Sequence, residues 1–291
     1  MNDSPLTILF EDYHCLAVAK AAPLLTQAPP GIPSLEALVR EHVKVRYNKP
    51  GNVYLGIPHR LDRPVSGVVV FARNTKAARR LAEQFQTHRV TKTYWAVVEG
   101  TIKPPDGTWV DHIHKIASEA RSEVVAADAP GAKEATLDYR VLHLLPDDRT
   151  LIELRPRTGR MHQLRLQSAS RGHPVIGDVL YGSIHEFGPT AELSRDRIIA
   201  LHARSLRFYH PTSLRENEVI LVTSPLPDSW ANLGIPPDLI AAPLADCGKM
   251  PMNSSESVDV RIDEETSPIV SLDSTGEAPY QETSHDHVES P

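Results

Sequence analysis

The chain of 291 residues contains little cysteine: Cys15 and Cys247 are its only two, and they lie far apart. A fold held by a disulfide framework is therefore excluded, since such folds need several closely spaced cysteines. There is no Cys-x-x-Cys pair, and the pair of His112 and His114 lacks further ligands at zinc spacing. We expect a protein without a bound metal.

Long apolar runs are also missing. The longest, such as residues 67–72, are far shorter than the roughly 20 residues that a membrane-spanning helix requires. Residues 1–5 show no basic region followed by an apolar stretch, which is the pattern of a secretory leader. We expect a cytoplasmic protein that makes no contact with a membrane, and we expect a monomer.

Charge is distributed unevenly. The formal net charge is −6, yet residues 246–291 hold eleven acidic side chains against only Lys249 and Arg261, a net charge of −9. The remaining chain therefore has a net charge of +3. A segment this acidic and poor in apolar residues is predicted to be a disordered tail, because burial cannot offset its ordering entropy. The mildly basic body, residues 1–240, is compatible with RNA binding.

Hydrophobic periodicity predicts an opening hairpin, several further strands and three helices. Ser34 and Thr75 are the predicted N-caps of the first two helices, and the third covers residues 160–171 and ends at Gly172. The predicted strands cover residues 7–10, 15–20, 68–71, 91–98, 138–145, 150–154, 198–208 and 218–223. The last two are expected to close the sheet. Because short turns join most strands, we expect an α+β domain with a mixed, largely antiparallel sheet and flanking helices.

Residues 59–67 (His-Arg-Leu-Asp-Arg-Pro-Val-Ser-Gly) have the composition of an active-site loop. Asp62 lies between Arg60 and Arg63. Pro64 restricts the backbone that follows Asp62, and Gly67 permits backbone angles that other residues rarely adopt. An ion pair at this point would hold the carboxylate charged and oriented. The competing interpretation is a surface turn with a solvated ion pair, which is common.

Residues 154–165 (Leu-Arg-Pro-Arg-Thr-Gly-Arg-Met-His-Gln-Leu-Arg) pack four arginines into twelve positions, and this segment favours the active-site interpretation of the Asp62 loop. Such a basic segment, interpreted as a helix face, is typical of a phosphate-binding surface. Residues 172–182 (Gly-His-Pro-Val-Ile-Gly-Asp-Val-Leu-Tyr-Gly) follow shortly afterwards.

These motifs, with Lys92-Thr93-Tyr94 and the residues up to Gly100, stand in the order found in one enzyme family. The chain resembles the pseudouridine synthases of the large-subunit and transfer RNA type, the RluA-like group, from about residue 6 to residue 224. The resemblance implies the pseudouridine synthase fold with a central RNA-binding cleft. We expect no S4-type RNA-binding domain ahead of the opening hairpin.

The implied reaction breaks the N1–C1′ bond of a flipped uridine and joins C5 to the same sugar carbon, which needs a carboxylate and a dry pocket but no cofactor. The resemblance assigns the carboxylate to Asp62, its ion-pair partner to Arg165, and the stacking on the base to Tyr94. A carboxylate can attack C1′, attack C6 or remove the C2′ proton, and residue types do not distinguish these roles. Arg60 is implied to fill the gap left in the RNA stack.

Further residues of the segment 154–165 are predicted to contact RNA: Arg155, Arg157, Arg160, His162 and Gln163. The alternative for His162 and Gln163 is that they brace the cleft. His59 is interpreted as a structural histidine bonded to nearby backbone, although a role as general base is the alternative. Transfer RNA is the first expectation for the substrate, with ribosomal RNA also open.

Two other functional classes are consistent with parts of the sequence. A non-catalytic RNA-binding protein is suggested by Val65, Gln167 and the segment that begins at Lys20, which depart from the usual motifs of the family. A hydrolase could use Asp62 and His59, but no oxyanion donor, nucleophilic serine motif or metal ligand accompanies them.

Overall fold

The computed structural model describes residues 6–242, except Ser118, Glu216 and the side chain of Ser213. The predicted acidic tail and Cys247 lie outside this range. The strands are β1 (Thr7–Glu11), β2 (Cys15–Lys20), β3 (Ser66–Ala72), β4 (Thr91–Glu99), β5 (Asp106–Lys115), β6 (Ser122–Val125), β7 (Lys133–Leu145), β8 (Arg149–Pro156), β9 (Leu201–Tyr209) and β10 (Val219–Thr223). The α-helices are α1 (Leu35–Arg46), α2 (Thr75–Gln86), α3 (Gln163–Ala169) and α4 (Pro237–Ala241).

The strands form a single ten-stranded sheet in the order β1-β2-β3-β9-β4-β8-β7-β5-β6, with β10 paired to β9 beside this path. Every pairing is antiparallel except that of β3 with β9, which is parallel. The predicted α+β class with a mixed, largely antiparallel sheet is therefore confirmed.

The prediction that residues 198–208 close the sheet is wrong, because β9 lies at its centre between β3 and β4. The segment contains His202, Arg204 and Ser205, and polar residues of this kind are typical of an exposed edge. Here all three are buried. Ser66 Oγ lies 2.8 Å from Nδ1 of His202, and Arg204 donates to the carbonyl of Ser224. Hydrogen bonds thus allow a polar strand to occupy the sheet interior.

β3 and β9 approach so closely that only glycine fits at one position. Gly67 pairs with Ala203 and has a φ of +120°. A Cβ atom on Gly67 would lie 2.3 Å from the carbonyl oxygen of Ala203, well inside contact distance. This contact fixes the start of β3, and therefore the loop that precedes it.

Apolar side chains pack on both faces of the sheet because neighbouring residues of a strand point to opposite sides. Val69 and Phe71 of β3 belong to a cluster on one face, which includes Val39 and Val43 of α1. Val68 and Val70 belong to a second cluster, which includes Ala77 and Leu81 of α2. The two long helices thus cover opposite faces of the same strand.

The helix boundaries differ from the predictions in two places. Ser34 caps α1 as predicted, accepting from the amide of Ala37, but Asn74 and not Thr75 caps α2. The predicted third helix over residues 160–171 is shorter, since α3 begins after His162, whose φ is +55°. Strands β5 and β6 were not predicted. They carry many polar residues, β5 pairs with β7 at long range, and β6 pairs with β5; hydrophobic periodicity does not detect such pairings.

Candidate active site

Asp62 lies in the loop before β3, at the wall of a cavity of about 670 Å³. Three separate parts of the chain meet there: the Asp62 loop, Tyr94 of β4, and the segment around α3 that carries Arg165. The sheet order explains this meeting, because β9 brings β3 and β4 to within one strand of each other. The three residues predicted to form the catalytic centre therefore line one cavity.

Arg165 is held by two carboxylates. Its Nη1 lies 3.5 Å from Oδ2 of Asp62, so the predicted contact is present but long. The shorter bonds go to Asp178, at 2.6 Å from Nε and 2.7 Å from Nη2. Both partners of this bidentate pair are buried. Burial by itself lowers the pKa of Arg165, but the bonds to Asp178 and the charge of Asp62 outweigh it and raise the pKa.

Asp178 was not predicted as a site residue. It belongs to the motif over residues 172–182. The feature of the sequence that could have identified it is a carboxylate placed between a glycine and an apolar turn. Because a guanidinium bonded through Nε and Nη2 cannot rotate, Asp178 directs Nη1 of Arg165 toward Asp62.

His162 connects Asp62 to a tyrosine. Its Nε2 is 3.7 Å from Oδ2 of Asp62, and its Nδ1 is 2.9 Å from the hydroxyl of Tyr181. The Tyr181 ring also lies against the guanidinium of Arg165. Burial, opposed by the charge of Asp62 and reinforced by Arg165, lowers the pKa of His162. A neutral imidazole therefore stands beside the carboxylate at pH 7.

Tyr94 is half-buried and lines the cavity. Burial, and then the negative charge of Asp62, raise the pKa of its phenol. The side chain consequently presents a neutral hydroxyl and an aromatic face at neutral pH. Lys92, two residues earlier on the same strand, has a pKa lowered by burial.

Lys20 is fully buried behind the Asp62 loop. Its Nζ donates to the carbonyls of Ala21, Leu24 and Arg63 at 3.2, 2.6 and 3.2 Å. Burial, opposed by the charge of Asp62 and reinforced by Arg63, lowers the pKa of Lys20 to about 7. The end of β2 is thereby tied to the backbone next to Asp62, although its sequence departs from the usual family motif.

His59 has the structural role that the sequence suggested. Its Nε2 accepts a hydrogen bond from the amide of Val70 at 3.0 Å, and its ring stacks on Phe85. Burial lowers the pKa of His59 to about 3, and the charge of Lys92 adds to this effect. A nitrogen occupied by a backbone amide is not free to act as a base.

Four arginines predicted to contact RNA are in different environments. Arg60 is exposed at the cavity, and within the described residues its side chain has no hydrogen bond or ion pair. Arg160 also lines the cavity and donates to the carbonyl of Glu134. Arg155 pairs with Glu153 at 2.7 Å, and Arg157 pairs in bidentate fashion with Asp138 at 2.7 and 2.8 Å. The last two would have to exchange these carboxylates for phosphates.

The interpretation of residues 154–165 as one basic helix face is wrong. Arg155 is in β8, Arg157 and Arg160 are in the connecting loop, and only Arg165 is in α3. His162 has a left-handed backbone in this loop, and a residue in that conformation interrupts a helix. The guanidinium groups therefore do not form a single stripe.

The prediction that Gln163 contacts RNA is also corrected, because the side chain is buried and its amide group is fully hydrogen-bonded within the protein. Its Oε1 accepts from Thr158 and from the amide of Arg160, and its Nε2 donates to Thr136 and Gln167. No polar atom of Gln163 is left for RNA. It holds the arginine loop against β7 instead.

Gln167, the second departure from the family motif, is fully buried and joins α3 to two strands. Its Nε2 donates to the carboxylate of Asp111 at 2.7 Å and lies 3.3 and 3.2 Å from the carbonyls of Trp109 and Ala135. The change at this position is therefore accommodated by the protein interior.

Three other histidines brace the fold at separate places. Nδ1 of His173 lies 2.8 Å from the carbonyl of Glu99, and His210 contacts Asp12 at 2.5 Å. His202, between Ser66 and Ser224, is neutral because burial lowers its pKa to about 3.

In the part of the chain that the structure describes, His, Cys, Asp and Glu side chains form no group of three or more that could hold a metal ion. Among the same residues, no helix is long and apolar enough to cross a bilayer.

The sequence pattern of one protein family, RNA pseudouridylate synthase, matches residues 14–170. The chain is 31% identical over 242 residues to tRNA pseudouridine synthase C of Haemophilus ducreyi, covering 78% of this chain and 94% of that protein. It is 34% identical to ribosomal large subunit pseudouridine synthase D of Xanthomonas campestris, covering 80% of this chain and 69% of that protein.

Solved structures give the same result for the fold. Human RNA pseudouridylate synthase domain containing 4 superimposes with a TM-score of 0.63 at 23% identity, covering 78% of this chain and 92% of that one. Human RNA pseudouridylate synthase domain containing 1 superimposes with a TM-score of 0.59 at 27% identity, covering 77% and 84%.

Proposed function

The chain belongs to the RNA pseudouridylate synthase family, and on this premise we propose that Asp62 is the carboxylate with which it isomerises uridine in RNA. The observation that carries the proposal is the cavity where Asp62, Tyr94 and Arg165 meet. An arginine that is itself fixed by Asp178 faces the carboxylate. This arrangement places the Asp62 carboxylate and the Arg165 guanidinium in a partly enclosed site, where electrostatic effects on the reaction are larger than in water.

The reaction requires that uracil be detached from C1′, turned and rejoined through C5 without escaping. Tyr94 provides a face on which the flipped base stacks, a contact worth about 1 to 3 kcal/mol. Its hydroxyl is protonated at neutral pH, so its contribution to proton transfer is that of a neutral phenol. Asp62 acts on the sugar or on the ring, both of which a base stacked on Tyr94 would bring within reach.

Arg60 is suited to occupy the space that the flipped nucleotide leaves. It is exposed, and within the described residues no carboxylate neutralises it. A planar guanidinium can stack on bases while it contacts phosphate, which an ammonium group cannot do.

Transfer RNA is the proposed substrate, because a relative that the chain covers over 94% of its length is named a tRNA pseudouridine synthase. A second relative is named for the large ribosomal subunit. A map of pseudouridine in total RNA from cells with and without the gene would decide between these classes. We also propose that the protein works in the cytoplasm as a monomer, which sedimentation of the purified protein would test for the oligomeric state.

The two alternative functions are not favoured. The departures at Val65, Gln167 and the Lys20 segment leave the cavity complete, and Gln167 and Lys20 are buried in the framework. A hydrolase that uses His59 as a base is disfavoured, because Nε2 of His59 accepts from Val70.

Replacement of Asp62 by Asn tests the proposal. The change keeps the size of the side chain and removes its charge, so we expect turnover of a substrate RNA to fall by roughly a thousandfold or more while RNA affinity changes little. Asp128→Asn, at an exposed position, is the matched control and should retain activity. Turnover by Asp62→Asn at the rate of the control would refute the assignment.

A further inference from the structure

A second cavity, of about 710 Å³, lies on the other side of the Asp62 loop. It shares one wall with the cavity that contains Tyr94, and the residues that line both are Arg60, Leu61, Asp62, Met161, His162 and Arg165. A strand of RNA that places one nucleotide beside Tyr94 would therefore continue past this wall. The two cavities are adjacent parts of one surface.

The remaining walls of the second cavity are largely apolar. Leu25, Pro64 and Ile199 line its interior, and Val179 and Leu180 stand at its opening. Val179 and Leu180 are 54% and 48% exposed. Exposed apolar side chains in a concave site offer contact to a flat apolar surface, such as the face of a nucleobase.

Arginines surround the same opening. Arg195 and Arg197 are exposed, and neither side chain has a hydrogen bond or ion pair among residues 6–242. Arg63 pairs with Asp196 at 3.5 Å, and its Nε is buried without a hydrogen-bond partner in the described structure. Together with Arg60, these groups place positive charge beside an apolar cavity. Phosphate oxygens are the ligands that unpaired guanidinium groups prefer.

Taken together, these features match one nucleotide: an apolar site for the base and guanidinium groups for the flanking phosphates. We propose that the second cavity binds the nucleotide next to the target uridine in the substrate RNA, through Leu180 and Val179 at the base and Arg195 and Arg197 at the phosphates. The proposal rests on the proposed function, since it needs the uridine to occupy the cavity that contains Tyr94. It makes the second cavity a site where the neighbouring base influences which uridine is modified.

The test uses full-length protein and an RNA hairpin with one uridine that the wild-type protein is shown to convert. Two further hairpins carry an abasic residue immediately 5′ or 3′ of that uridine. For the wild type, one of the two abasic RNAs should raise KM by roughly 5-fold or more, as the loss of a base contact does. Leu180→Ala should raise KM for the intact RNA and reduce the abasic penalty to about twofold or less, because the base contact is already lost.

The phosphate contacts are tested with the double variant Arg195→Gln, Arg197→Gln. It should raise KM for intact and abasic RNA by the same factor, and KM should depend less steeply on salt than in the wild type. The matched control is Lys49→Gln with Lys103→Gln, which removes the same charge at exposed positions outside both cavities and should behave as the wild type.

Three results would overturn the proposal: no effect of either abasic substitution on wild-type KM, a full abasic penalty in Leu180→Ala, or identical behaviour of the arginine and lysine variants. These failures are distinguishable from failure of the proposed function. Conversion of the intact hairpin by wild type, and its loss in Asp62→Asn, test that function in the same assay.

Discussion

Asp178→Asn removes the charge that fixes Arg165 without changing the size of the side chain. The wild-type carboxylate accepts from both Nε and Nη2 of the arginine, at 2.6 and 2.7 Å, with the two side chains 1% and 6% exposed. A carboxamide can accept at only one of its two positions. The buried guanidinium then keeps one hydrogen bond there and its long contact to Asp62.

The expected loss of stability follows from the burial of this ion pair. Breaking a buried ion pair by removing one partner costs about 3 to 5 kcal/mol. Because Asn retains one acceptor and Asp62 retains its charge, the lower end applies, and we expect a loss of about 3 kcal/mol in the free energy of unfolding. For a domain of this size that corresponds to a decrease of roughly 6 to 12 °C in Tm. Turnover should fall by roughly tenfold or more, since Nη1 is no longer directed at Asp62.

Asp138→Asn is the matched control. Asp138 binds Arg157 through the same bidentate geometry, at 2.7 and 2.8 Å, but these side chains are 20% and 51% exposed. A pair in contact with solvent contributes about 1 kcal/mol or less. Urea unfolding and steady-state turnover of both variants give the comparison. Equal stability and equal turnover of Asp178→Asn and Asp138→Asn would show that burial does not increase the contribution of the Asp178 pair to stability or catalysis.

Three further changes test other parts of the structure. Tyr94→Phe keeps the aromatic face and Tyr94→Leu does not, so kcat/KM should fall further with Leu; full activity of both would make Tyr94 a packing residue only. Burial lowers the pKa of His202 to about 3, so its contribution to stability is complete above pH 6.5 and is lost as the pH falls toward 3, by up to about 1.4 kcal/mol per pH unit. Unfolding of His202→Gln between pH 6.5 and 4.5 should show a smaller slope, and an unchanged slope would contradict this. Removal of residues 246–291, with their net charge of −9, should tighten nonspecific RNA binding at low salt only, and overlapping isotherms at low salt would exclude competition by this segment.

The sequence predicted the parts of the fold that depend on local periodicity. The hairpin of β1 and β2 and the Ser34 cap of α1 follow from residues close together in the chain. Strands β5 and β6 did not, because β5 is stabilised by pairing with β7, about twenty residues away or more, and β6 by pairing with β5. The central position of β9 was missed for a related reason: His202 and Arg204 look like edge residues until their buried partners are known.

The sequence predicted which residues form the candidate site better than it predicted the contacts between them. Asp62 and Arg165 were expected to pair, and they lie 3.5 Å apart. Sequence order could not show that Asp178 binds the same arginine more closely, since that depends on how the chain turns after α3. Nor could it show that Gln163 is buried, because a polar residue beside arginines is also typical of an RNA-contacting surface.

The central position of β9 has a consequence for the order in which the chain can fold. β3 and β4 are made first, but each must wait for β9 to complete its hydrogen bonding. β3 ends about 130 residues before β9 begins, which at about 5 to 20 residues per second is roughly 6 to 26 seconds of synthesis. During most of that interval residues 91–96 of β4, which pair with β9 in the finished sheet, have no partner on that side. Such an edge is prone to pair with other chains, so we expect the nascent protein to depend on a ribosome-bound chaperone more than its modest size suggests.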